Sequence, residues 1–170
     1  MTPRKTASMF FSSLLAACGA RSMGPTELAR VSDAPAATEA TALTLTAVSV
    51  PELRGVGTFS TRNPRAVGVP DAPANQMWVV PLVDPGESIR GPVAAWVTSP
   101  QHASAGDSPD PWLERLKREL DGQRVTLKVA TRAREAAERG SGWGAAIADA
   151  EARFGVKSAT EAPVLFFPSP

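Results

Sequence analysis

A chain of 170 residues with 43% hydrophobic and 21% charged residues has room for one ordinary globular domain behind a leader and a tether. Its 18 basic and 17 acidic residues leave a charge of +1. Without a leader that carries Arg4 and Lys5 the balance passes to about −1, which excludes the basic surface that a nucleic-acid binder or a polybasic membrane patch needs. One cysteine and one histidine exclude an internal disulfide, a cysteine-rich zinc site and any metal site built on two or three histidines of the same chain.

The first 17 residues divide into three parts. Arg4 and Lys5 form a short positive region, Met9–Ala17 is a brief apolar run, and small residues lead into Cys18. This is the layout of a secretory signal peptide. The run is about half of the roughly 20 residues that a bilayer-spanning helix needs, so it reads as a leader and not as a permanent anchor. The tetrapeptide Leu15-Ala16-Ala17-Cys18 resembles the lipobox of bacterial lipoproteins. The resemblance implies that the thiol of Cys18 takes a diacylglyceryl group, that cleavage falls before Cys18, and that the new amine is acylated. Two or three acyl chains anchor stably, because each buried methylene contributes about 0.8 kcal/mol. The resemblance also implies an envelope location, with the outer membrane favoured in a cell with two membranes, since Gly19 stands where inner-membrane lipoproteins of enteric bacteria carry aspartate. An organelle transit peptide is the alternative, because residues 1–26 hold Arg4, Lys5, Arg21 and several serines with no acidic residue.

Residues 18–41 are rich in Ala, Ser, Thr and Pro without sustained apolar periodicity. They are expected to form a disordered, lipidated tether, with a short helix near Thr26–Ser32 as an option. The globular domain is expected to occupy residues 42–170. Thr41–Val50 alternates apolar and polar residues as a half-buried strand does. Residues 54–75 carry Gly55, Gly57, Pro64, Gly68, Pro70 and Pro73, which predicts turns and short extended pieces. Met77–Val83 is an apolar run broken by Pro81, which predicts an edge or bulged strand, and Asp84-Pro85-Gly86 predicts a turn. Pro92–Thr98 is apolar on both faces and reads as an interior strand.

Ser99–Asp110 is a long polar loop. Asp110-Pro111 then opens a helix over 111–121 that gathers Trp112, Leu113, Leu116 and Leu120 on one face. Charge pairs Glu114–Arg118, Arg115–Glu119 and Lys117–Asp121 are spaced four apart on the other sides. Arg124–Ala130 alternates as a strand, a helical segment follows over 131–139, and Ser141 caps a further helix lined by Trp143, Ile147, Ala150 and Phe154. Val164–Phe167 is a short apolar strand. Strands alternating with helices predict parallel pairing in the C-terminal half. The expected fold is a single small α/β or α+β domain with a mixed sheet and a βαβ-type C-terminal half.

Ala152–Phe167, with Phe154-Gly155-Val156 and Ala162-Pro163-Val164-Leu165-Phe166-Phe167, also resembles part of the thioredoxin fold. That implies a cis proline at Pro163. The Cys-x-x-Cys pair of that family is missing, so the resemblance implies a binding module without disulfide chemistry.

Candidate chemistry is sparse. His102 and Asp107 lie in the Ser99–Asp110 loop among several hydroxyls, which admits a hydrolase reading, although neighbours in sequence rarely supply the geometry of a Ser–His–Asp arrangement. A solvated loop histidine is the simpler reading. Gly140-Ser141-Gly142-Trp143-Gly144-Ala145 matches the Gly-x-Gly-x-x-Gly/Ala pattern, but it follows a charged helical stretch where a dinucleotide site needs a strand, so a glycine break between helices is expected. Asp107, Asp110, Glu114, Glu119 and Asp121 read as solvated carboxylates. Trp96, Trp112 and Trp143 read as core, and Trp78 on the expected edge strand is the candidate partner contact. The leading expectation is a non-enzymatic envelope lipoprotein without cofactor or metal, attached to the membrane through Cys18 and binding another envelope protein.

Overall fold

The computed structural model describes residues 24–52, 55–61, 75–99, 103–104 and 108–167. Cys18, His102 and Asp107 lie outside the described residues. The strands are β1 (Thr26–Leu28), β2 (Ala42–Leu45), β3 (Gly57–Thr61), β4 (Asn75–Leu82), β5 (Ala95–Thr98), β6 (Ala103–Ser104), β7 (Val125–Arg132) and β8 (Pro163–Phe166). The helices are α1 (Asp110–Leu120), α2 (Ala133–Glu138) and α3 (Gly142–Phe154), with a 3₁₀ turn at Val31–Ala36.

One mixed sheet runs β1-β2-β7-β8-β5-β4-β3, with β6 paired to β4. The expected α+β domain with a mixed sheet is formed. Parallel pairing in the C-terminal half is confined to β5–β8. β7 runs antiparallel to β8, and β8 lies between β7 and β5. The strands β5 and β7 on either side of α1 therefore do not make a parallel βαβ unit. None of the described peptide bonds is cis, the one before Pro163 included.

Alternation along the strands divides the core in two. Leu43, Leu45, Val80, Val97, Leu127 and Leu165 face α1 and the 3₁₀ turn, whose Leu116, Leu120, Val31 and Ala34 are fully or nearly fully buried against them. Val79, Trp96 and Val164 face α2 and α3, where Ala133, Ala146, Ile147 and Ala150 close the other side. α1 forms because its apolar residues recur at helical spacing and Pro111 tolerates the first turn. Pro109, one residue earlier than expected, is the N-cap. α3 starts as expected at Ser141, whose hydroxyl accepts the Gly144 amide, and ends at Gly155 with φ 65°, a conformation that favours glycine.

Two expectations are corrected. The first concerns the start of the domain. Residues 26–41, expected to belong to the tether, are part of the fold: β1 pairs with β2, and Val31 and Ala34 are 1% and 0% exposed. The expected helix near Thr26–Ser32 is instead a strand and a 3₁₀ turn. Few apolar residues lie in this stretch, but two of them at a spacing of three are enough for a 3₁₀ turn to bury both.

The second correction concerns Met77–Val83. β4 is not an edge, since β5 flanks it on one side and β3 on the other. Ser99 bonds Trp78 on the β5 side, and Ser49 bonds Val83 reciprocally on the opposite side. Backbone groups alternate along a strand, so Pro81 directs its missing N–H away from β5. The β3 ladder has already ended at Val79, so no bond is lost.

Candidate functional site

Among the described residues, the predicted site residues do not converge. Trp78 is 6% exposed and packs its ring 5.9 Å from that of Trp112 at 44°. It is core and not a partner contact. Trp96 is fully buried, and its indole N–H donates to Ser158. Ser99 is buried, and its hydroxyl accepts the Trp78 amide at 2.9 Å. Ser108 bonds Asp110 at the start of α1. Two hydroxyls of the Ser99–Asp110 loop thus hold backbone in place.

The glycine cluster between α2 and α3 serves packing, as expected of a break between helices. A Cβ on Gly142 would stand 2.9 Å from the Phe59 ring, and one on Gly144 would stand 2.5 Å from the Ala136 carbonyl oxygen. Of the three charge pairs expected along α1, Arg115–Glu119 forms at 2.8 Å.

Asp121 takes a different partner. Its carboxylate accepts the Ser49 hydroxyl at 2.5 Å. Ser49 is held there because its N–H and C=O pair with Val83 at 2.9 and 3.0 Å, and the neighbouring Val48 carbonyl accepts the Gly122 amide at 2.8 Å. Three separate segments, namely the chain after β2, the turn after β4 and the C-terminal end of α1, are thereby tied together.

Between these segments and the end of α3 lies an open cleft of about 750 Å³, within the size range of small-molecule sites. Val50, Ile89, Phe154 and Val156 supply apolar wall, while Glu52, Glu87 and Lys117 stand at its rim. With Asp121 this gives three carboxylates against one ammonium. Glu87 is also bonded by Arg30 at 3.3 Å. A serine nucleophile needs an adjacent base that can take its proton, and the Ser49 hydroxyl is directed at a carboxylate. The cleft offers apolar wall and hydrogen-bond acceptors to a ligand. No group of three or more His, Cys, Asp or Glu residues placed to hold a metal ion occurs among the described residues.

Several other buried or half-buried polar groups fasten the fold, while the buried indole N–H groups of Trp112 and Trp143 have no partner among the described residues. Asp84, 9% exposed, accepts the Val31 amide at 2.6 Å and faces Arg30 at 3.5 Å. Asp149 of α3 accepts the Thr58 amide at 2.8 Å and the Arg153 guanidinium at 2.7 Å. Burial pushes the Asp149 carboxyl up, but these bonds outweigh it and hold the group below the ordinary aspartate range. Glu151 behaves likewise: burial raises it, while the amide and hydroxyl of Ser158 and the ammonium of Lys157 bring it below its ordinary value.

Arg132, 8% exposed, donates to the carbonyls of Ala37 and Thr38 with one guanidinium nitrogen and to that of Glu161 with another. Burial is the main cause lowering its pKa, and Glu161 and Glu135 oppose it. Asp84, Asp149 and Arg132 did not stand out in the sequence, because each has a partner 53 to 95 residues away, which leaves no local pattern.

Comparison of the chain with models of protein families, with curated proteins and with solved structures found no match in any of the three.

Proposed function

We propose that the chain is an exported lipoprotein of the cell envelope, anchored through lipid on Cys18, whose folded domain is a non-enzymatic binding module for another envelope protein. The observation that carries this reading is the Leu15-Ala16-Ala17-Cys18 junction at the end of a positively charged, apolar leader. Gly19 after the cysteine favours the outer membrane in a cell that has two. The binding role is supported by the use of the described polar groups. Asp84, Asp149, Glu151, Arg132 and Ser99 each bond backbone, whereas the cleft beside Ser49 and Asp121 leaves apolar wall and rim carboxylates open to a partner.

Intact-mass spectrometry of the membrane fraction tests the anchor. The expected mature chain begins at Cys18 and carries diacylglyceryl and acyl mass, and Cys18→Ser abolishes processing and membrane retention. A mature chain that begins elsewhere, or an unmodified Cys18, overturns the address. Binding is tested by crosslinking in intact cells. A partner captured by the wild-type chain and lost on Asp121→Arg supports the cleft as its seat. Equal capture by both chains overturns that assignment.

A further inference from the structure

Resting on the envelope-binding reading, we infer that the cleft beside Ser49 and Asp121 seats a basic segment of the partner protein, with a Lys or Arg side chain entering beside an apolar neighbour. The cleft joins two kinds of surface. Val50 is buried and Ile89, Phe154 and Val156 are half-buried along its apolar wall, while Glu52, Glu87 and Asp121 are exposed around it.

The electrostatics of the cleft come from several elements and share one sign. Three lining carboxylates against the single ammonium of Lys117 leave −2. Arg30 does not cancel this, because it is shared between Glu87 at 3.3 Å and Asp84 at 3.5 Å, and the pair Arg30 and Asp84 adds one charge of each sign. The helices contribute as well. Lys117 lies in the last turn of α1 and Asp121 is its C-cap, while Phe154 is the last residue of α3. Two helix C-termini therefore meet at the cleft, each carrying about half an elementary negative charge. The cations nearest the end of α3 are turned to their own carboxylates, Arg153 to Asp149 at 2.7 Å and Lys157 to Glu151 at 3.1 Å.

A Lys or Arg side chain answers both surfaces at once. Its methylene stem covers apolar wall while its charged head stays with the carboxylates. A neutral or acidic segment would take water from those carboxylates and supply no counter-charge, which is unfavourable. The openness of the cleft favours a protein over a small amine. Small-molecule sites enclose about 70–90% of their ligand's surface, whereas Glu52, Glu87, Ser88, Lys117 and Asp121 all stand exposed here. A side chain held by its own backbone needs no such enclosure.

The test uses the full chain in intact cells, with a photo-crosslinking amino acid at exposed Ser88 in the cleft or at exposed Ala148, which does not line it. Intact mass first establishes the lipid on Cys18, and the peptide attached at each position is then sequenced by mass spectrometry. The expected adduct at Ser88 is a protein segment with Lys or Arg beside an apolar residue, and Ala148 does not yield it. Glu52→Gln with Glu87→Gln is expected to lower the yield about two- to twentyfold, the worth of two exposed ion pairs. Changing the identified basic residue of the partner to Glu is expected to abolish the adduct, and Glu52→Lys with Glu87→Lys to restore it. An adduct without Lys or Arg, a yield unchanged in the double Gln variant, or the same adduct in equal yield from Ala148 overturns the basic-segment assignment and leaves the lipoprotein reading standing. No protein adduct from either position overturns the binding role as well. An unmodified Cys18 overturns the reading and the assignment together.

Discussion

Arg132→Met removes the guanidinium and keeps most of the apolar stem. Four carbonyls, those of Ala37, Thr38, Ala40 and Glu161, lose their donor. Hydrogen bonds to a charged group are worth about 1.5–3 kcal/mol each, while burying an unpaired guanidinium costs several kcal/mol that the variant recovers. The difference is a loss of about 2–4 kcal/mol. It is felt first in the segment after the 3₁₀ turn, because three of the four acceptors belong to it. Urea unfolding followed by tryptophan fluorescence gives the global change, and hydrogen exchange at Ala37, Thr38 and Ala40, whose amides close the local turns, gives the local one. Exchange there is expected to accelerate more than in β5 and β8. A stability change within about 0.5 kcal/mol, the range of ordinary surface substitutions, together with unchanged exchange at these amides, would refute the role of Arg132 as the clamp.

Other outcomes follow from single contacts. Gly57→Ala places a Cβ 2.5 Å from the Ala146 carbonyl oxygen and the Ala150 Cβ, so α3 must shift off β3, with an expected loss of about 1–3 kcal/mol by overpacking and a lower Tm by calorimetry. Asp84→Ala strips the Val31 amide of its acceptor and is expected to cost about 1–3 kcal/mol, read as denaturant midpoint and as faster proteolysis within residues 29–36. The depressed pKa values of Asp149 and Glu151 mean that their bonds contribute fully above the unfolded-state values, about 3.9 and 4.3, and are lost as pH falls through the lower folded ones. Asp149→Asn is therefore expected to flatten the fall of stability with acid below about pH 4, seen in unfolding curves taken at successive pH values. An unchanged slope in that variant would remove Asp149 from the acid response.

Where a residue's fate depends on neighbours within one helical turn or one strand, the sequence is explicit. Leu116 and Leu120 are buried, Ser141 caps α3, Gly155 ends it, and Leu127 points inward between exposed Thr126 and Lys128. The sparse N-terminal stretch was misleading for the opposite reason. Its composition is that of a linker, and its order comes from groups far along the chain, namely Asp84 and Arg132. The cleft was equally illegible, since Ser49 and Asp121 are 72 residues apart.

Arg132 shows the division most clearly. By strict alternation along β7 it shares a face with Thr126 and Lys128. A bulge between Val129 and Thr131 shifts the register, so that Thr131 pairs with Val164 and Arg132 with Pro163. A bulge inserts one residue into one strand and exchanges the faces beyond it, which turns Arg132 toward the carbonyls it clamps. Local periodicity determined the bodies of α1 and α3, the Ser141 cap and the inward residues of β7 ahead of its bulge, because those depend on spacing along the chain. The insertion of β8 between β7 and β5, the face to which Arg132 turns and the point at which the domain begins were decided by pairing between distant segments, which tertiary structure alone supplies.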